Sequence, residues 1–205
     1  MGISFFKLFH TSPSPLAGLP AEGFGPQAGE GWGEGEDLHM KLEKIIGDYL
    51  RERGWTVSIA ESCTGGLICD LITNVPGSSD YFEGGMVTYS NESKARHLGI
   101  PLDDIKRYGA VSPQVARKMA QGVRKAFGTT FGLSTTGVAG PTGGTKRAPI
   151  GRVFIGFTNG RRTWVRKESL KGSRREIKKK ADEKALKFFH EKLIHEYLVA
   201  KKADD

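Results

Sequence analysis

The sequence contains only two cysteines, Cys63 and Cys69, and this scarcity excludes several classes of protein. Two cysteines in one short segment do not make the disulfide framework of a small secreted domain. They are also too few for a zinc site without histidine ligands, and the five histidines show no metal-ligand spacing. We therefore expect no metal, no redox cofactor, and a reducing compartment, which for this chain means the cytoplasm.

Long hydrophobic runs are absent as well. No apolar stretch approaches the roughly 20 residues that a membrane-spanning helix needs, so we expect no membrane association. Apolar residues make up 38% of the 205 positions and charged residues 26%, which is typical of a globular protein. The net charge of +8 is compatible with an anionic small molecule, nucleic acid or a solvated basic surface, and charge alone does not choose among them.

The N-terminal region differs in composition from the remainder of the chain. Residues 1–37 hold eight of the 28 glycines and four of the nine prolines. Such a segment buries too little apolar surface to offset the entropy lost on ordering. We predict a disordered extension over residues 1–37, one folded domain over 38–200, and a flexible tail over 201–205.

Helical and β-rich segments alternate from Leu38 onward. The spacing of apolar residues and the turn and capping signals predict five helices and five strands. The helices fall at 38–54, 67–73, 93–98, 113–127 and 173–199, and the strands at 55–60, 86–89, 131–136, 151–158 and 163–170. This alternation predicts an α/β fold, a three-layer α/β/α sandwich around a mixed sheet in a single domain.

The first segment that could carry chemistry is Ala60-Glu61-Ser62-Cys63-Thr64-Gly65-Gly66, where a strand gives way to a helix. A helix N-terminus presents free N–H groups that suit an anion or a developing oxyanion, so Ser62 could act there as a nucleophile. Backbone N–H groups from Ser62 to Thr64 could then hold the oxyanion. The alternative is that Ser62 or Thr64 only caps the following helix.

The second segment is Thr88-Tyr89-Ser90-Asn91-Glu92-Ser93-Lys94. A serine nucleophile needs a base, and a lysine serves when burial or neighbouring charge lowers its pKa. Lys94 is a candidate base, and Tyr89 could relay the proton or hold Lys94 in place. The alternative is an ordinary helix cap followed by an exposed lysine.

The third segment, Thr135 to Gly144, holds four glycines in eight residues, which lets a backbone approach a ligand closely. Its spacing matches neither a P-loop nor the dinucleotide-binding fingerprint, and a generic flexible loop is the alternative.

The fourth segment, Arg161 to Lys180, contains ten Lys or Arg residues. Within it, Arg174 could pair with a phosphate. We interpret Lys178, Lys179 and Lys180 as a solvated helix face.

Together, and in this order, the four segments resemble the CinA C-terminal-domain family, which includes stand-alone nicotinamide-nucleotide amidases. The resemblance covers about residues 38–193. It is carried by AESCTGGL, VPGSSDYFEGGMVTYSNESK, LGI, YGAVS, TTGVAGPTGG, PIGRVFIGF and KGSR. Each motif alone is weak, whereas their joint order and spacing are specific.

The resemblance implies an amidohydrolase of pyridine-nucleotide salvage, which cleaves the carboxamide of nicotinamide mononucleotide to nicotinic acid mononucleotide and ammonia. It implies Ser62 as the nucleophile, Lys94 as the base and Tyr89 as a third catalytic residue, without a cofactor. It also implies a homo-oligomer, a dimer or larger. The substrate-binding residues that we expect are Thr64, Gly65, Thr136, Gly137, Gly140, Gly143 and Arg174.

Three alternatives stay open from the sequence. Cys63 could be the nucleophile, because a helix N-terminus lowers the pKa of a thiol. The domain could be a non-catalytic binding module whose basic end recruits nucleic acid, although no aromatic stacking pattern or helix-turn-helix motif supports that. An amidase acting on a different small amide is the third alternative.

Overall fold

A computed structural model describes residues 37–204, with side chains from Leu42 onward. The extension predicted for residues 1–37 lies outside the described residues, apart from Asp37 at the start of the first helix. In chain order the elements are α1 (Asp37–Glu52), β1 (Val57–Glu61), α2 (Leu67–Thr73), β2 (Phe82–Val87), α3 (Asn91–Leu98), α4 (Leu102–Tyr108), α5 (Pro113–Phe127), β3 (Phe131–Gly137), β4 (Arg152–Thr158), β5 (Thr163–Ser169) and α6 (Arg174–Asp204).

The five strands form one mixed sheet in the order β2-β1-β3-β4-β5. β1 pairs in parallel with β2 on one side and β3 on the other, and Glu61 lies opposite Val87 and Thr135 in these two ladders. β4 and β5 continue the sheet in antiparallel pairing. The carboxyl ends of β1, β2 and β3 therefore meet at one edge of the sheet, where open α/β sheets commonly bind ligands.

Helices cover both faces of the sheet. One apolar core joins α1, α2 and α6 to the sheet, with Ile46, Ile68 and Phe189 packed against strand residues such as Ile59 and Phe157. A second core joins α3, α4 and α5 to the opposite face. Full burial of each large aliphatic or aromatic side chain contributes about 1.5–3 kcal/mol. The predicted three-layer α/β/α sandwich around a mixed sheet is confirmed.

Successive residues at the end of β1 point to opposite faces of the sheet, as the pleat requires. Ile59 belongs to the core under α2 and α6, whereas Ala60 belongs to the core under α5. Glu61 accordingly contacts α2, and Ser62 reaches a side chain of α3. This alternation positions the site described below.

Two glycines let α5 approach the sheet closely. A Cβ atom at Gly132 would lie 2.2 Å from the carbonyl oxygen of Ala120, and one at Gly156 would lie 2.5 Å from that of Ala116. The same Ala116 carbonyl accepts a hydrogen bond of 2.7 Å from the Ser134 hydroxyl. Helix α5 is thus held at a short distance from β3 and β4.

The predicted elements agree best where a local signal marks the boundary. Helix α5 has the predicted bounds because Ser112 caps it and Pro113 occupies its first position. β2 lies earlier than the predicted strand at 86–89, and α4 was not predicted. Helix α6 continues to Asp204, which pairs with Arg53, so residues 201–204 are helical where a flexible tail was expected.

Within residues 37–204, none of the helices combines the length and the apolar character that crossing a membrane requires.

Candidate active site

The turn that carries Ser62 is fixed by a buried carboxylate. The side chain of Glu61 is fully buried and accepts hydrogen bonds from the backbone N–H groups of Gly66, at 2.8 Å, and Cys69, at 2.9 Å. The N–H of Ser62 donates to the carbonyl oxygen of Thr135 at 3.0 Å. These bonds tie the turn to α2 on one side and to β3 on the other.

The sequence-based alternative, in which Ser62 or Thr64 caps α2, is wrong. The N-cap position is Gly66, with a φ of 101° and no side-chain capping bond of its own. Glu61 satisfies the first N–H groups of the helix instead. The hydroxyl of Thr64 is buried and lies 2.7 Å from that of Thr135. The hydroxyl of Ser62 contacts the Lys94 amine rather than an N–H group of α2.

Lys94 lies beside Ser62 although 32 positions separate them in the chain. Ser90 caps α3 by accepting from the N–H of Ser93, and the first turns of this helix direct Lys94 toward the sheet edge. The Nζ atom lies 3.1 Å from the Oγ of Ser62 and 2.7 Å from the carbonyl oxygen of Thr88. Only 1% of Lys94 is exposed, so the alternative of an exposed surface lysine is wrong.

Burial lowers the pKa of Lys94 from its usual value to about 8, because the interior disfavours the ammonium form. A lysine with a pKa near 8 is partly neutral at physiological pH and can accept a proton from a hydroxyl.

Tyr89 and Arg174 form a bridge at the mouth of the site. The guanidinium of Arg174 donates to the hydroxyl of Tyr89 at 2.8 Å and to the carbonyl oxygen of Gly140 at 2.8 Å. The Tyr89 side chain is 60% exposed. Its carbonyl oxygen, rather than its hydroxyl, contacts Lys94, at 3.3 Å.

A cavity of about 270 Å³ opens on Ser62 and Lys94. It brings together eight of the ten residues singled out from the sequence, whereas Thr64 and Gly65 do not line it. The eight are Ser62, Tyr89, Lys94, Thr136, Gly137, Gly140, Gly143 and Arg174.

Two further features shape this cavity. The hydroxyl of Thr136 donates to the carbonyl oxygen of Ala110 at 2.8 Å and so joins β3 to the segment before α5. A Cβ atom at Gly137 would lie 2.7 Å from the side chain of Val153 and 3.0 Å from the Cys63 sulfur. Any larger residue at Gly137 would therefore disturb the turn that carries Ser62.

Cys63 also lines the cavity, but its environment opposes a thiolate. The residue is 6% exposed, and burial raises the pKa of its thiol to about 12. Because the thiolate is the nucleophilic form of cysteine, this site favours Ser62 over Cys63.

Sequence reasoning missed the supporting roles of Glu61 and of two backbone carbonyls. Glu61 stands inside the AESCTGGL motif, and an acidic residue just before a helix is a signal that could have identified it. The carbonyl groups of Thr88 and Tyr89 that hold Lys94 belong to the backbone. Every residue has a carbonyl group, so the sequence does not indicate which ones contact Lys94. Over residues 37–204, no group of three or more His, Cys, Asp or Glu side chains is placed to hold a metal ion.

Fold and site together define a class: a three-layer α/β domain with a buried serine–lysine pair where parallel strands end. The family model for the CinA C-terminal domain matches residues 39–193. The chain belongs to this family.

The relatives agree with this assignment. A CinA-like protein of Dictyoglomus thermophilum is 45% identical over 164 residues, which are 80% of this chain and 39% of that protein. A relative from Moorella thermoacetica is 49% identical over 145 residues, 71% of this chain and 35% of its own length. The crystal structure of the competence/damage inducible protein CihA from Agrobacterium tumefaciens has 34% identity and a TM-score of 0.71, covering 73% of this chain and 92% of that one. The chain thus spans well under half of the two sequence relatives.

Proposed function

We propose that the chain is an amidohydrolase that converts nicotinamide mononucleotide to nicotinic acid mononucleotide and ammonia, with Ser62 as nucleophile and Lys94 as base. One observation carries the proposal: the buried amine of Lys94 lies 3.1 Å from the Ser62 hydroxyl. That distance is within the reach required of a general base.

The contacts of Lys94 suit a neutral amine. Such an amine has two N–H donors and one lone pair. The carbonyl oxygens of Thr88, at 2.7 Å, and Tyr89, at 3.3 Å, accept the two N–H groups. In the structure Nζ donates to the Ser62 oxygen; in the neutral amine that we propose, the lone pair faces the Ser62 hydroxyl, which then donates to it. The carbonyls thereby orient the base.

The proposed reaction has two steps, acylation of Ser62 and hydrolysis of the acyl-enzyme. Lys94 takes the hydroxyl proton while the Ser62 oxygen bonds to the amide carbon, and the carbon–nitrogen bond then breaks as Lys94 returns the proton to the leaving ammonia. Water next attacks the acyl-enzyme, giving one proton to Lys94, which passes it back to the Ser62 oxygen. The Ser62 N–H is committed to Thr135, so the N–H groups of Cys63 and Thr64 remain the candidates for holding the oxyanion.

The substrate class is supported by the charge of Arg174. Both of its hydrogen-bond partners, Tyr89 and Gly140, are uncharged, and no carboxylate among the described residues pairs with it. A guanidinium with its charge uncompensated at the mouth of the cavity favours a phosphate. The glycine-rich loop from Gly140 to Gly144 lies beside it and allows close approach of the same group.

The test is ammonia release from nicotinamide mononucleotide by the purified chain and by Ser62→Ala. Ser79→Ala is a matched control, because Ser79 is exposed and precedes β2, away from the strand ends that form the site. We expect release by the native chain and the control, and none by Ser62→Ala. Release by Ser62→Ala at the native rate would overturn the proposal.

A homo-oligomer, a dimer or larger, is part of the same proposal, and light scattering on the purified chain tests it.

A further inference from the structure

A second and larger cavity lies next to the first. It has a volume of about 680 Å³, within the range of small-molecule sites. We call it the α6 groove, and it is lined by Leu67, Arg174, Arg175, Lys178, Lys179 and Asp182. Arg174 lines both cavities, so the groove adjoins the Ser62 site.

The cations of the α6 groove are arranged in two pairs. Arg174 and Arg175 begin α6, and Lys178 and Lys179 follow one helical turn later, about 5.4 Å along the axis. In the described part of the chain, neither Arg175 nor Lys178 forms an ion pair with a carboxylate. Two pairs of cations at this spacing suit two adjacent phosphates.

Neighbouring polar groups of α6 are already occupied. Glu176 accepts from the N–H and the hydroxyl of Ser173, both at 2.7 Å, in a capping box. Lys180 donates to the carbonyl oxygen of Lys171 at 2.8 Å. The contacts that form the first turn of α6 therefore use Ser173, Glu176 and Lys180, and none of the four groove cations.

Asp182 is the second, independent feature of the groove. It lies one turn beyond Lys178, is 5% exposed, and its Oδ1 atom has no hydrogen-bond partner among the described residues. A buried carboxyl oxygen without a donor is costly and rare in proteins. Burial raises the pKa of Asp182 to about 7, although the Glu183 N–H and the charge of Lys179 act in the opposite direction.

The two features together narrow the class of ligand. A bare polyphosphate would satisfy the cations but leave Asp182 without a donor and next to a like charge. A nucleoside diphosphate brings two phosphates and also ribose hydroxyls, which acidic side chains bind in nucleotide sites. Leu67 adds an apolar surface for the remainder of such a ligand.

We propose that the α6 groove binds a nucleoside diphosphate group, with the phosphates on Arg175, Lys178 and Lys179 and a ribose hydroxyl on Asp182. The order along the helix face, two cation pairs and then a carboxylate, matches the order of the groups in that ligand. The site does not depend on the hydrolysis proposed for Ser62, because binding needs no turnover.

The test is calorimetric titration of the full chain with ADP and, separately, with inorganic pyrophosphate. Lys178→Ala should weaken both ligands, whereas Asp182→Asn should weaken ADP by about tenfold and leave pyrophosphate unchanged. Lys187→Ala is the control, since Lys187 is an exposed lysine of the same helix outside the groove. The 2′,3′-dideoxy analogue of ADP should bind the native chain as weakly as ADP binds Asp182→Asn.

Three outcomes would overturn the proposal: no ADP binding, ADP binding that survives Lys178→Ala, or equal effects of Asp182→Asn on ADP and pyrophosphate. Circular dichroism confirms folding of each variant.

A repeat of the ADP titration with saturating nicotinamide mononucleotide distinguishes the sources of the group. If nicotinamide mononucleotide competes with ADP, the diphosphate belongs to a dinucleotide whose other half fills the Ser62 cavity. If the two bind independently, the groove takes a separate nucleotide. Failure of ADP binding leaves the ammonia assay untouched, so the two proposals fail separately.

Discussion

The Ser62 cavity and the α6 groove are neighbours that use the same residue type in opposite ways. Lys94 is 1% exposed and held by backbone carbonyls, and burial lowers its pKa to about 8. Lys178 and Lys179 retain contact with water at the rim of a groove more than twice as large. Burial, rather than residue type, thus separates a candidate base from candidate anion ligands.

The largest effect that we predict is the loss of the base. Lys94→Ala should lower the rate of amide hydrolysis by about 10²–10⁴-fold, because general base catalysis contributes a factor of that size. Binding of ADP in the α6 groove should be unchanged. Steady-state ammonia release and calorimetry measure the two properties, with Lys187→Ala as the control. If Lys94→Ala hydrolyses the amide at the native rate, Lys94 is not the base, and it no longer differs in role from the lysines of the α6 groove.

The second prediction concerns the turn below Ser62. Glu61→Ala leaves the partly buried N–H groups of Gly66 and Cys69 without their acceptor, so the free energy of unfolding should fall by about 2–4 kcal/mol. Glu61→Gln keeps one acceptor oxygen and should lose less. Urea unfolding gives the values, and Glu83→Ala, at an exposed position of β2, is the control. An unchanged midpoint for Glu61→Ala would contradict the role of Glu61.

The third prediction uses the residue that the two cavities share. Arg174→Lys should raise KM for nicotinamide mononucleotide by about tenfold with little change in kcat, because a lysine does not reproduce the paired contacts to Tyr89 and Gly140. Arg175→Lys is the matched control for Arg174→Lys, since Arg175 lines the α6 groove but not the Ser62 cavity. Equal KM values for both variants would show that Arg174 contributes no more than Arg175 to binding of nicotinamide mononucleotide.

The last prediction concerns the dependence of the reaction on pH. Because Lys94 must be neutral to act as a base, kcat/KM should fall by about tenfold for each unit below pH 8 and level off above it. Initial rates from pH 6 to 10, with circular dichroism at each pH, give the profile. A rate that is already level at pH 6 would mean that another group accepts the proton.

Several features of the fold follow from local sequence. The bounds of α2 and α5 agree with the predicted helices, because apolar spacing and the Ser112-Pro113 start mark them. β2 was placed too late because its Phe82-Glu83-Gly84-Gly85 half carries two glycines, which weaken a strand signal. α4 is short and was missed for lack of a strong pattern over Leu102–Tyr108.

By itself the sequence determined the alternation of helices and strands, the family, and the set of residue types that a serine–lysine site requires, because these depend on periodicity and motif order. Tertiary structure decided which of those residues meet. It placed Lys94 beside Ser62 across 32 positions, turned Thr64 away from the cavity toward Thr135, and brought Arg174 of α6 to Tyr89 and Gly140. The physical reason is that desolvation and contact across the sheet depend on the packing of distant segments, which no local pattern encodes.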